Sequence, residues 1–160
     1  MTIYHGGTHI VDMPRIIAAY TGRDFGKGFY TTRIRDQAIK WAKRQAVYRN
    51  KAVAILNSYV MDDSVLNTLN TKTFSDYSME WLDFVIECRS NAAYRHDYDI
   101  VVGKIANDDV GETIQAVVDG LASKDYALAK LAFAHANDQI CFSSNKALEC
   151  LEFISYERVD

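Results

Sequence analysis

The residues best suited to chemistry in this chain fall in three short runs: "YHGG" at 4–7, "FGKGFYTT" at 25–32 and "NDQICF" at 137–142. The middle run invites a phosphate-loop reading, because glycines beside a lysine can present backbone N–H groups to an anion. The spacing refuses it. A P-loop requires GxxxxGK[ST], whose lysine and hydroxyl reach phosphate and magnesium. From Gly22 the run is G-x-x-x-G-K-G, one residue short and with glycine in the hydroxyl's place. A dinucleotide fingerprint fails as well, since its GxGxxG leads into a helix, whereas Gly26-Lys27-Gly28 leads into strand-like residues. On spacing alone the run is a tight turn whose glycines supply positive φ.

Taken together with "YHGG", the run resembles the nicotinamide-binding half of ADP-ribosyltransferases of the His-Tyr-Glu class, the poly(ADP-ribose) polymerase type. In that family a His-Gly pair ends the first strand of the cleft and a Gly-x-Gly-aromatic-Tyr run follows. A second aromatic then lies about three turns along the next helix. His5-Gly6, Gly26 to Tyr30, and Trp41 occupy those places here. Over nearly its full length, including "EWLDFV", "YDIVVGKIANDDV" and "NDQICF", the chain resembles the DUF3990 family of small bacterial ADP-ribosyltransferase-like proteins.

The resemblance implies an NAD-dependent mono-ADP-ribosyltransferase with NAD as substrate and no metal. The acceptor would be a macromolecule, protein or nucleic acid, and the protein a toxin paired with a small antitoxin. Tyr30 and Trp41 would sandwich the cationic nicotinamide ring by stacking and cation–π attraction. Gly6, and Gly28 in the second run, would let the backbone approach the ligand, Gly6 gripping the carboxamide. His5 would bind the adenosine ribose hydroxyls and Thr31 would add a hydroxyl at the rim. Arg15 or Arg23 would meet the pyrophosphate as a bidentate donor.

The third element of the class is a glutamate opening a late strand, where it binds the nicotinamide ribose and stabilises an oxocarbenium-like transition state. Gln139 stands at that place here, with Asp138 beside it. Successive strand side chains face opposite ways, so only one of the two points into the cleft. With Gln139 inward, a preorganised charge is missing, a loss of about 10²–10³ in rate. Chain elongation is then disfavoured, leaving single transfer or slow NAD hydrolysis. With Asp138 inward, full activity is expected. The rival reading keeps the fold without the chemistry, as an NAD- or ADP-ribose-binding or interaction module. Glu112 is a further candidate base, and Cys141 reads as buried rather than nucleophilic. His5 and His9 have a helical metal spacing, but the glycines between them oppose a helix.

A framework must hold these residues. Strands are expected over 2–7, 27–32, 52–61, 98–106, 138–144 and 151–159, by β-branched and aromatic content. Helical periodicity marks 35–48, 78–90, a segment after Asn107 or Asp108 as cap, 123–136, and a short turn over 144–151. The segment 63–75 is ambiguous, and the apolar side of 78–90 is core or partner surface. Without a regular βαβ rhythm, the order predicts an α+β fold, an ADP-ribosyltransferase-like split core of two small, mostly antiparallel sheets flanked by helices.

At 160 residues, 49% hydrophobic and 24% charged, the chain matches a single globular domain over 1–160. Three cysteines without a CxxC pair oppose a disulfide framework or zinc site and indicate a reducing compartment. No run resembles a signal peptide or a membrane span, so a soluble, cytoplasmic protein is expected. A net charge of −3 gives no global field for nucleic acid. The local cluster Arg33, Arg35, Lys40, Lys43, Arg44 and Arg49 is either a solvated helix face or a surface for RNA, DNA or an acidic protein.

Overall fold

Alternation of side chains along short strands builds the layers of this protein. The computed structural model describes residues 1–16, 22–50, 53–106, 108–131 and 137–159. Its strands are β1 (Thr2–Gly7), β2 (Phe29–Thr31), β3 (Ile55–Val60), β4 (Thr71–Thr73), β5 (Ile100–Gly103), β6 (Gln139–Phe142) and β7 (Glu152–Arg158). Its helices are α1 (Arg35–Tyr48), α2 (Val65–Thr68), α3 (Met79–Ser90), α4 (Asp108–Val118), α5 (Lys124–Leu131) and α6 (Asn145–Leu148). One sheet has the order β1-β3-β7 and the other β2-β6-β5-β4, with β4–β5 the one parallel pairing among the described residues. The expected α+β class, two small and mostly antiparallel sheets flanked by helices, is what is observed. The two sheets touch at a bridge in which Tyr4 N donates to Thr32 O at 2.8 Å and Thr32 N donates to Tyr4 O at 2.9 Å.

Ile3 and Tyr59 of the first sheet pack with Phe29, Ile100, Ile140 and Phe142 of the second, forming a core between the sheets. The intervening side chains Tyr30, Val101 and Cys141 belong to a second core, shared with Trp81, Leu82 and Val85 of α3 and Ile114 of α4. The apolar side of α3 is therefore core, and Trp81 is fully buried. Ser78 caps α3, its Oγ accepting from Trp81 N at 3.1 Å.

The ambiguous stretch 63–75 resolves into α2 and β4. The strand expected over 98–106 stops at Gly103, opposite Gln139 at the start of β6, and beyond it Ala106 N binds the buried carboxylate of Asp24 at 2.8 Å. The strand expected over 52–61 is β3, and the helix expected over 123–136 is α5. Ala52, residues 132–136 and the capping groups of Asn107 and Asp108 lie outside the described residues. No described helix is long and apolar enough to cross a membrane.

On the outer side of the first sheet, α1 buries Ala38, Ala42 and Ala46, an i, i+4, i+8 stripe of the smallest helix-forming side chain. The helix can then come down onto β1 at Gly6. A Cβ there would overlap the Ala38 carbonyl oxygen and meet Ala42 N at 2.9 Å. Gly6→Ala is expected to cost about 1–3 kcal/mol or more by overpacking. Gly7→Ala, whose Cβ would rest 3.4 Å from His5 Nε2, should cost little. Urea unfolding of the two variants beside the parent checks this contrast.

Candidate functional site

The register of β2 against β6 decides which predicted residues share a face. Tyr30 pairs with Cys141 and Thr31 with Ile140. Gln139, two residues from Cys141, therefore lies on the Tyr30 side of the sheet, and Asp138 on the opposite side. The open choice between Asp138 and Gln139 thus falls to Gln139 as the neighbour of Tyr30.

Tyr30 is anchored at its hydroxyl. The phenol donates to Gly26 O at 2.5 Å and accepts from Phe25 N at 3.3 Å. Burial, with the neighbouring Cys141 and Asp24, holds its pKa well above the usual phenol value, so the hydroxyl stays protonated. Gly26 makes this return possible by turning at φ 73°. The Arg23 guanidinium carbon lies 5.3 Å from the centre of the Tyr30 ring, a cation–π contact. Gly28 has a packing role: a Cβ would overlap Cys141 Sγ and approach Phe142 O at 2.8 Å. Cys141 itself is buried, its thiol pushed up to about 11 by desolvation. Its burial agrees with its apolar company, and the thiol stays protonated.

His5 meets the same strand from the other side. Its Nδ1 lies 2.8 Å from Tyr30 O, and a carbonyl only accepts, so Nδ1 carries the proton. Nε2 then keeps a lone pair. The ring rests on Phe29 with centroids 4.6 Å apart. Burial lowers the His5 pKa, the carbonyl bond opposes that, and the Arg23 charge reinforces it. His5 is consequently a neutral imidazole with an acceptor nitrogen, suited to a hydroxyl.

Asp24, which no motif marks, organises the Gln139 side. It is 5% exposed. Arg89 Nε donates to its Oδ1 at 2.9 Å, while Ala106 N at 2.8 Å and Gln139 Nε2 at 3.4 Å donate to Oδ2. Burial raises its pKa against the pull of Arg89 and these bonds. With the amide nitrogen turned to Asp24, the Gln139 oxygen is left as the acceptor for a ligand hydroxyl. A glutamate at 139 would set a second carboxylate against a buried one, which gives a physical reason for glutamine here.

Asp138 is engaged elsewhere. Its Oδ2 accepts from Arg33 N and Nε, both at 2.9 Å, and its Oδ1 from Arg33 Nη2 at 2.5 Å. Gln37 clasps its backbone from both sides. Asp138 also lines a cavity of about 240 Å³ with Arg33, Phe74, Gly103 and Lys104, which neither His5 nor Tyr30 reaches.

The remaining expected residues disperse. Thr31 is buried, its hydroxyl donating to Ile140 O at 3.3 Å rather than standing at a rim. Gly6 is spent on the approach of α1. Trp41 is 50% exposed on α1 and makes no ring contact with Tyr30, so the two aromatics do not form the expected clamp. Arg15 is exposed, and the cation over the Tyr30 ring is Arg23. Glu112 borders a groove of about 540 Å³ between α4 and α5. Sequence reading missed Asp24, Arg33 and Arg89, because pairings across 65 to 115 positions leave no local signal.

Two outcomes follow. Gln139→Glu should destabilise the fold at neutral pH by about 1–3 kcal/mol, and the loss should shrink on acidification as one proton is shared between the two carboxylates. Thermal melts of both proteins across pH read this directly. Unfolded His5 titrates near 6.5 and folded His5 lower, so its share of stability is complete above 6.5 and is lost as pH falls toward the folded value. In His5→Gln that part of the acid loss should vanish, seen in urea midpoints at about pH 7.5 and about 5.5.

No curated protein and no solved structure matches the chain. The family model described as a protein of unknown function, DUF3990, matches residues 1–153, and the chain belongs to that family.

Proposed function

We propose that this protein binds NAD beside β2, cleaves its nicotinamide–ribose bond and passes a single ADP-ribose to a macromolecular acceptor. The observation that carries this reading is the meeting of three residues at Tyr30: His5 on its carbonyl, Arg23 over its ring and Gln139 on its side of the sheet. His5 Nε2 offers an acceptor to a ribose hydroxyl. The Gln139 oxygen offers another, held by the amide bond to Asp24. Arg23 supplies a cation for the pyrophosphate. Bond cleavage then proceeds with the ribose oriented but without a fixed negative charge at 139, so turnover is slow and elongation is not expected. A toxin role, with an antitoxin that neutralises it, follows from the resemblance to ADP-ribosyltransferases.

One observation favours the second reading, a binding module that has lost the chemistry. Asp138, the nearest alternative carboxylate, is committed to Arg33.

Nicotinamide release from NAD, with and without bacterial lysate, separates the two readings. Transfer predicts release that rises with lysate and falls by about 10²-fold or more in a Tyr30→Ala variant that still melts cooperatively. A melting temperature raised by NAD with no release under either condition supports the module. No shift and no release removes both.

A further inference from the structure

We propose that the outward face of α1 is a docking surface for single-stranded nucleic acid. With about 100° between successive residues, the buried stripe Ala38, Ala42, Ala46 places Lys40, Trp41, Arg44 and Tyr48 on the opposite half of the helix, with Lys43 and Val47 beside them. Trp41 is 50% and Tyr48 85% exposed, large aromatic surfaces left to solvent. They stand two turns apart, about 10 Å along the axis, close to the rise of three stacked nucleotides.

The charge is as one-sided as the aromatics. Within α1, Arg35, Lys40, Lys43 and Arg44 face one acidic residue, Asp36, in a chain whose net charge is −3. Arg35 is drawn to Glu157 at 2.5 Å, so the cationic character of the outward half rests on Lys40 and Lys43. Cations that meet phosphates, interleaved with rings that stack on bases, are the two components of sequence-tolerant single-strand binding. An acidic protein offers no bases for the rings. A membrane surface calls for a broad apolar face, and the apolar stripe of α1 is already buried on the first sheet. Duplex does not fit either, because its bases are stacked on each other and closed to side-chain rings. The proposal stands on this surface alone and holds whether or not NAD is cleaved.

The chain carries its own reporter. Of its two tryptophans, Trp81 is fully buried and Trp41 half exposed, so quenching of indole emission by a solute reads Trp41. Mixed-sequence RNA and DNA oligonucleotides of about a dozen nucleotides, titrated into the full chain at low salt, should quench that emission. The logarithm of the binding constant should fall with the logarithm of salt at a slope of roughly −1.4, for about two phosphates neutralised. The double variant Lys40→Glu, Lys43→Glu should weaken binding at least about ten-fold with an unchanged far-ultraviolet spectrum and melting temperature. Trp41→Ala, followed by anisotropy of a labelled oligonucleotide, should lose about ten-fold. No quenching, or binding unchanged in the double variant, would overturn the proposal. So would polyglutamate or anionic phospholipid vesicles quenching Trp41 as well as the oligonucleotide does, or NAD quenching it where the oligonucleotide fails.

Discussion

A single buried carboxylate holds the site region together. Asp24 sits at the start of the glycine turn, binds Arg89 from α3, takes the Ala106 N–H just beyond β5, and receives the Gln139 amide at the start of β6. Three separate elements are thereby tied to one loop. A buried charge of this kind is tolerable only with its partners in place, and removing one typically costs about 3–5 kcal/mol. The geometry of the turn, and so the return of Gly26 and Phe25 to the Tyr30 hydroxyl, depends on that arrangement.

The same carboxylate governs the chemistry available at 139. A glutamine can donate to Asp24 and still present an oxygen; a glutamate would present charge but repel the carboxylate that positions it. Across the strand, Arg33 and Gln37 capture Asp138 by side chain and backbone. The two adjacent residues are therefore sorted into distinct jobs, one orienting and one structural, by the period-two geometry of β6.

Close packing on the far side of the molecule has a comparable logic. Three alanines and a glycine let α1 lie directly on β1, and a helix seated so closely must turn its long side chains outward. Trp41 is exposed for this reason. Its position about two turns into α1 reflects helix geometry, while its surroundings reflect the seating of the helix.

Composition and local pattern by themselves determined much of the frame. β-branched runs specified the strands, Ser78 specified the start of α3, and the alternation through "FYT" and "QICF" required that Tyr30 and Thr31 point to different cores. These are short-range properties, set by propensity, capping and the two-residue period. The motif residues His5, Tyr30 and Gln139 were likewise legible, and β2 does gather them. Only the tertiary structure decided that Gln139 rather than Asp138 lies beside Tyr30, that Arg23 covers the ring, and that Trp41 faces away. Register between strands more than a hundred positions apart, the pairing of a buried charge and the seating of a helix are long-range choices. They are settled by which groups find partners when the chain closes on itself, and no neighbouring residue announces them in advance.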